Sequence, residues 1–188
     1  MSRKNFGAIP GLYPMPVLIV ATYNEKGEVN VMTAAWGQMC HSHKVALFLD
    51  KAHKSSANIE RNKAFTVSIT DLAHLKEANF FGTISGYDMP DKFARTGMKA
   101  EKSKYVNAPV LPELPTTMEC TVEEIIERDY MYCVIGNIVN TSADRSVLGE
   151  DGKVDPRKLQ AVIYDEFGMS YYFEGEKLGQ TDLGVDYL

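Results

Sequence analysis

The chain has 188 residues, 45% of them hydrophobic and 24% charged, with a formal net charge of −5. This balance predicts one globular domain over residues 1–188 whose core needs no disulfides, and it argues against nucleic-acid binding, which needs clustered Lys and Arg. The three cysteines lack CxxC spacing, which is typical of reduced thiols, and we find no secretory signal, so we expect a cytoplasmic protein. No apolar run is long enough to cross a bilayer, so we expect no membrane span.

Strand-like and helix-like segments alternate through the first half of the chain. Apolar runs over 16–23 and 28–33 flank a turn at 24–27 and predict a β-hairpin. Further strands are predicted over 45–49 and over 65–69, where apolar and polar residues alternate. The segments expected to be helical are 55–62 with Ser55 or Ser56 as its cap, 72–81, and a helix that Asp88–Asp91 opens, with an Asp as its cap and Pro90 in its first turn.

The second half of the chain begins with an extended loop that contains Pro109, Pro112 and Pro115. The remaining predicted elements are a strand over 117–123, its hairpin partner over 130–139, a helix over 156–159, an element at 162–164 and a strand over 170–173. Six or more hairpin-connected strands with a few short helices predict a mainly β fold, an antiparallel barrel. No GxGxxG follows a strand, which argues against a doubly wound nucleotide-binding sheet.

The strand that ends at Trp36 is the first candidate binding segment. Small side chains there let a flat ligand approach the main chain, whose N–H groups can face ring heteroatoms. The alternative is an ordinary strand with a buried Trp. The residues of this segment expected to contact a ligand are Asn30, Met32, Thr33, Ala34, Ala35 and Trp36.

Two further segments carry groups that suit an anionic ligand. Between a strand and a helix, exposed helix N–H groups and neighbouring cations would bind a phosphate, although a capped surface helix with solvated lysines has the same pattern. A glycine-containing segment later in the chain permits close backbone approach, or serves only as a turn between helices. The residues concerned are Lys51, His53, Lys54 and Ser55 in the first segment, and Thr83, Ser85, Gly86 and Lys92 in the second.

Other candidate chemistry is weaker. The stretch 40–43, Cys-His-Ser-His, lacks the second ligand pair of a structural zinc site, so we expect no metal site. Cys120 and Cys133 are expected to lie near each other on paired strands as small buried hydrophobic residues. No Ser-His-Asp order or nucleophile elbow is present, so we name no catalytic side chain.

Together, these segments resemble the flavin reductase-like proteins of the FMN-binding split-barrel superfamily, including the flavoredoxins. The resemblance extends over nearly the whole chain and depends on the order and spacing of its motifs. The matching segments are 16–17, 22–27 with Asn30, 32–36, 54–55, 58–59, 65–68, 82–86, 91–93, 171–173 and 178–179.

The resemblance implies an antiparallel Greek-key split β-barrel with a few short helices, forming a homodimer with FMN near the subunit interface. By analogy, Asn30, Thr33, Ala34 and Trp36 line the ring and ribityl chain, and the segment 53–55 binds the phosphate. Ser85, Gly86 and Lys92 would then complete the ribityl or ring contacts. The implied activity is that of an FMN-dependent oxidoreductase, in which NADH or NADPH passes a hydride to flavin N5.

Two stretches depart from the family pattern. Residues 40–44 replace a Pro-rich turn that often precedes the third strand. Residues 128–131 stand where nicotinamide-using members often carry Gly-Asp-His. The second departure supports an alternative function, a flavoredoxin-like FMN electron carrier that a protein partner reduces and that has no nicotinamide site.

Overall fold

The computed structural model describes residues 2–173, which form a mainly β architecture with a few short helices. The strands are β1 (Met15–Pro16), β2 (Leu18–Tyr23), β3 (Val29–Ala34), β4 (Gly37–His41), β5 (Lys44–Asp50), β6 (Ala64–Ile69), β7 (Glu101–Lys102), β8 (Pro109–Val110), β9 (Thr116–Arg128), β10 (Met131–Ala143), β11 (Val162–Asp165) and β12 (Ser170–Phe173). The helices are α1 (Lys54–Asn62), α2 (Leu75–Thr83), α3 (Lys92–Arg95) and α4 (Pro156–Leu159), with 3₁₀ turns at Leu72–His74 and Arg145–Val147.

The main sheet has seven strands in the order β3-β2-β6-β9-β10-β5-β4, and every pairing is antiparallel. Its two edge strands, β3 and β4, follow one another in the chain, separated only by Ala35 and Trp36. The ladder does not close between them, so the sheet is an open barrel. The predicted antiparallel Greek-key split barrel is therefore confirmed, with β1-β11-β12 and β7-β8 as smaller sheets beside it.

The barrel interior is packed from alternate residues of the main-sheet strands. On β2, Leu18 and Val20 face an interior cluster with Phe65 of β6, whereas Ile19 lies on the opposite face against Phe81 of α2. This period-two alternation is what makes a strand two-sided. Helix α2 therefore covers the outer face of β2 and β3.

The predicted strands and helices are present, although β9 and β10 extend several residues beyond the predicted bounds. The helix that Asp88–Asp91 was expected to open does follow this segment, but its N-cap is Asp91, so Pro90 precedes the helix and does not lie in its first turn. Strands β4, β7 and β8 were not expected, and β8 lies in the segment predicted to be an extended loop. Cys120 and Cys133 do not face each other, since their partners across the β9–β10 ladder are Ile138 and Ile126. The matched segment 178–179 lies outside the described residues. Within residues 2–173, no helix combines the length and apolarity needed to cross a bilayer.

Candidate functional site

Two adjoining clefts lie where β3 meets the start of α1 and the end of α2. The narrow cleft has a volume of about 210 Å³, and the wide cleft beside it has a volume of about 400 Å³. Both are lined by Met32, Thr33 and His53, so the two clefts are direct neighbours. The further residues of the narrow cleft are Asn30, Lys54, Ser55, Phe81, Gly82, Thr83, Ile84, Ser85, Gly86 and Lys92.

Strand β3 contributes its free backbone edge to this site. It pairs with β2 on one side and ends the main sheet on the other. An edge strand presents N–H and C=O groups that no neighbouring strand takes up. A ligand lying along β3 can therefore bind the main chain directly.

Thr33 joins β3 to α2. Its hydroxyl donates to the Ala78 carbonyl oxygen at 2.6 Å, and a Cβ added at Gly82 would lie 3.3 Å from the Thr33 Cβ. Because the hydroxyl is already used inside the fold, what Thr33 offers to the clefts is its methyl group and its main chain.

Asn30 is fixed between α1 and the loop that follows α2. Its Nδ2 donates to the Ser55 Oγ at 2.8 Å, and its Oδ1 lies 2.3 Å from the position that a Cβ would take at Gly86. No real Cβ tolerates such a contact, so only glycine lets the 85–86 backbone approach the Asn30 amide this closely. The narrow cleft depends on this close approach.

Helix α1 directs its N-terminus at the narrow cleft. Its N-cap is His53, without a side-chain cap hydrogen bond, and its first turn carries no acidic residue. The expected capping by Ser55 or Ser56 is wrong, because Ser55 accepts from Asn30 and the Ser56 hydroxyl donates to the Asp50 carbonyl at 2.6 Å. The first N–H groups of a helix have no intrahelical acceptor and carry partial positive charge, which suits an anion.

Lys54 lines the narrow cleft at the first turn of α1. Its Nζ lies 2.7 Å from the Glu25 Oε2 and 4.9 Å from the centroid of the Tyr87 ring. The hydrogen bond from Lys54 lowers the pKa of the Glu25 carboxyl, which is thus held as a carboxylate. An ammonium group therefore stands between the cleft and an external carboxylate.

Lys92 supports the loop from the other side. Only 3% of its surface is exposed, and its Nζ donates to the carbonyl oxygens of Phe81 at 3.1 Å and Ile84 at 2.5 Å. Burial lowers the pKa of this amine to about 8. These contacts join α3 to the C-terminal end of α2, so Lys92 holds the wall of the cleft in place.

The wide cleft is aromatic and mildly acidic. Trp36, which is 50% exposed, and Phe48 lie on one side of it, with Tyr130 and Tyr164 contributed by the β9–β10 hairpin and by β11. The remaining residues of its lining are Ala34, Ala35, Leu49, Asp50, Met131 and Glu166. Burial, and then the neighbouring Glu166 carboxylate, raise the pKa of Tyr164.

Comparison with known proteins gives the family of the chain. A family model described as the flavin reductase like domain matches residues 11–170. The chain belongs to the flavin reductase-like domain family.

Three solved structures illustrate this relationship. Flavoredoxin of Desulfovibrio vulgaris (Miyazaki F) has a TM-score of 0.91 and 33% identity, covering 97% of this chain and 98% of that one. Flavoredoxin from Methanosarcina acetivorans has a TM-score of 0.90 at 21% identity, with 100% of both chains covered. An FMN-binding protein from Thermus thermophilus has a TM-score of 0.77 at 17% identity, covering 96% and 99%. At their lower identities, the last two establish a shared fold.

In this flavin reductase-like chain, the two clefts bring together all the expected binding residues except Lys51. The Lys51 Nζ instead lies 2.5 Å from the Glu127 Oε1, donates to the Asp129 carbonyl oxygen at 2.6 Å and stands over the Tyr132 ring. The Lys51 ammonium group is thus bound to the β9–β10 hairpin, and Lys51 lies outside both clefts.

Two hydroxyl groups of the expected set are occupied locally. Thr83 donates to the Asn79 carbonyl oxygen at 3.0 Å, and the Ser85 Oγ accepts from the Tyr87 N–H at 3.1 Å. Both residues line the narrow cleft, but their hydroxyls first serve to shape the helix end and the loop.

Several residues of the site in this family member were not anticipated from the sequence. They are Glu25, Phe48, Asp50, Phe81, Gly82, Ile84, Tyr87, Tyr130, Met131, Tyr164 and Glu166. Gly82 already carried a signal as the first glycine of the 82–86 motif. The wide-cleft residues carried none, because strand pairing brings them together; Met131, for example, lies opposite Asp50.

Proposed function

We propose that the chain is an FMN-dependent oxidoreductase that holds FMN across the narrow and wide clefts. The observation that carries this proposal is that a cationic helix-terminal cleft and an aromatic cleft lie side by side, with Met32, Thr33 and His53 lining both. FMN has the same two parts, a phosphate monoester at the end of a ribityl chain and a flat, largely apolar ring.

The narrow cleft fits the phosphate end. The first turn of α1 supplies N–H groups and dipole, and Lys54 supplies a full positive charge. Gly86 leaves room that any side chain would fill. Asn30, fixed by Ser55, would then bind the ribityl hydroxyls through its amide.

The wide cleft fits the ring. Trp36 and Phe48 supply apolar surface, and the free edge of β3 near Thr33 and Ala34 supplies main-chain donors and acceptors. Backbone N–H groups at that edge would stabilise negative charge on a reduced ring, in the manner of an oxyanion site. The chemistry that FMN supplies when bound is hydride uptake at N5 or electron exchange, whereas the protein supplies orientation and electrostatics.

Two sources of electrons follow from this site. In the first, NADH or NADPH reduces the flavin directly, as in a flavin reductase. In the second, the chain is an electron carrier that a protein partner reduces. The charge of the wide cleft favours the second: Asp50 and Glu166 line it, and no Lys or Arg does so within the described part of the chain. Carboxylates repel the diphosphate of a nicotinamide dinucleotide.

The absorption spectrum of the purified protein tests flavin binding. We expect a visible flavin band and, after denaturation, release of FMN identified by mass spectrometry. A colourless protein that also fails to bind added FMN would refute the proposal. Anaerobic addition of NADH or NADPH then separates the two electron sources, because rapid bleaching of the band excludes a pure carrier.

We also propose that the chain works as a homodimer. Large exposed hydrophobic side chains occur in the wide cleft, in the neighbouring cavity that Leu12, Trp36 and Phe48 line, and on β4, and exposed apolar patches are typical of an interface. The residues concerned are Leu12, Trp36, Met39, Phe48 and Tyr130. Light scattering after size exclusion should give twice the 21.0 kDa chain mass.

A further inference from the structure

We infer that Glu25 and Tyr87, through Lys54, select flavin mononucleotide over the dinucleotide FAD. This inference rests on the proposed function, and it concerns the far end of the narrow cleft. FAD differs from FMN in that its phosphate continues into a second phosphate and an adenosine. The question is therefore what stands beyond the position of the first phosphate.

Lys54 lines the narrow cleft, whereas Glu25 and Tyr87 do not. Both nevertheless contact the Lys54 Nζ, the Glu25 Oε2 at 2.7 Å and the centroid of the Tyr87 ring at 4.9 Å. Because they reach the ammonium group without lining the cleft, we place them on its far side. A phosphate held by Lys54 and α1 would then be followed by a carboxylate and an aromatic ring.

The Glu25 carboxylate is firmly held in this position. Besides the contact with Lys54, its Oε2 lies 3.5 Å from the Arg61 Nη1. Arg61 is itself anchored, because its Nη2 donates to the Tyr23 carbonyl oxygen at 3.0 Å. The carboxylate at the tip of the β2–β3 hairpin is therefore tied to both ends of α1.

This arrangement tolerates one phosphate and opposes a second. The first phosphate gains the Lys54 charge. A second phosphate would have to displace the Lys54–Glu25 pair or lie against the Glu25 carboxylate, and its adenosine would have to pass Tyr87. Repulsion between two unit charges about 4 Å apart amounts to about fivefold in affinity when bulk water screens it, and to more where the screening is weaker.

Flavin titrations of the apoprotein test this inference. Dissociation constants are measured for riboflavin, FMN and FAD with the natural chain, Glu25→Gln, Tyr87→Ala and the double variant. Glu28→Gln is the matched control, because it removes a carboxylate from the same hairpin, where it accepts from Asn24 at 2.8 Å. Tyr105→Ala, at another exposed tyrosine, is the control for loss of a ring.

We expect the natural chain to bind FMN about ten times more tightly than FAD or better. Glu25→Gln should lower the ratio of the FAD dissociation constant to the FMN dissociation constant about three- to tenfold. The double variant should lower this ratio further, and the affinity for riboflavin should stay unchanged. FAD binding as tight as that of FMN, or a ratio that neither variant moves, would overturn the inference while leaving FMN binding intact. Failure of the natural chain to bind all three flavins would instead overturn the proposed function, and the inference with it.

Discussion

Lys54→Ala should separate binding of the phosphate from binding of the ring. In the natural chain, the Lys54 ammonium is the cation that lines the narrow cleft at the first turn of α1, and its side chain is only 16% exposed. Riboflavin carries the ring and the ribityl chain of FMN but no phosphate. Loss of Lys54 should therefore weaken FMN and leave riboflavin nearly unaffected.

The size of the effect follows from the contact that is lost. A hydrogen bond to a charged group contributes about 1.5–3 kcal/mol, and each 1.4 kcal/mol is a tenfold change in affinity. FMN should thus weaken by about ten- to a hundredfold. The Glu25 carboxylate, 2.7 Å from the Lys54 Nζ in the natural chain, would also be left facing the phosphate. Lys54→Ala combined with Glu25→Gln should therefore bind FMN more tightly than Lys54→Ala alone.

Quenching of flavin fluorescence on titration into apoprotein measures both constants under one set of conditions. Lys76→Ala is the charge-matched control, because it removes an exposed lysine from α2. Added salt should weaken FMN binding to the natural chain more than FMN binding to Lys54→Ala, because the variant lacks the lysine charge that salt screens. Equal losses of FMN and riboflavin affinity in Lys54→Ala would refute the placement of the phosphate.

Three further expectations concern Gly86, Lys92 and the cysteines. Gly86→Ala should weaken the binding of FMN and of riboflavin alike, by tenfold or more. The new Cβ would lie 2.3 Å from the Asn30 Oδ1, and overpacking of this kind costs about 1–3 kcal/mol. Unchanged dissociation constants in a folded variant would contradict this expectation. The pKa of Lys92 is about 8 in the folded state and 10.5 as its ordinary value. Between these two pH values the unfolded state binds more protons than the folded state. The contribution of Lys92 to the free energy of unfolding should therefore rise with pH in that window, by at most about 3 kcal/mol. Denaturant titrations on either side of pH 8 should show this rise in the natural chain but not in Lys92→Met. A thiol reagent followed by mass spectrometry should label the exposed Cys40 in the folded protein and spare Cys120, whose burial raises its pKa to about 12; equal labelling rates would show that the barrel interior is open.

The strands that the sequence revealed carry apolar residues either in a continuous run, as in β2, or in alternation, as in β6. Segment 65–69 alternates because Phe65 and Val67 point into the barrel, and that alternation is visible in the residue order. Strand β4 gave no such signal, since Gln38 to His41 are all exposed and it is held only through its pairing with β5. An edge strand with a solvent-facing surface has no periodic pattern to read.

Helix starts were harder to predict than helices. Hydroxyl residues at 55–56 suggested a cap, but both side chains are used by tertiary partners, the Asn30 amide and the Asp50 carbonyl. At α3, Pro90 was expected in the first turn, yet the N-cap is Asp91 and the helix begins at Lys92. Lys92 is placed there by the carbonyl groups of α2 that it binds, a constraint that local sequence does not carry.

The residues of the site also fall into those that local sequence reveals and those that only tertiary packing brings together. The second kind includes the residues that we infer to determine selectivity. The narrow cleft is built from short contiguous motifs, because a helix terminus, a glycine and a lysine act through their own local backbone. Glu25 lies 29 residues before Lys54, and it contacts Lys54 only because the β2–β3 hairpin turns over the start of α1. Local motifs can thus specify that a phosphate binds, whereas what stands beyond that phosphate depends on how the hairpin tip packs. Relatives with the same motifs but a different residue at the hairpin tip should then share FMN binding and differ in their rejection of FAD. Exchanging that one residue between two such chains should move the FAD-to-FMN ratio with it.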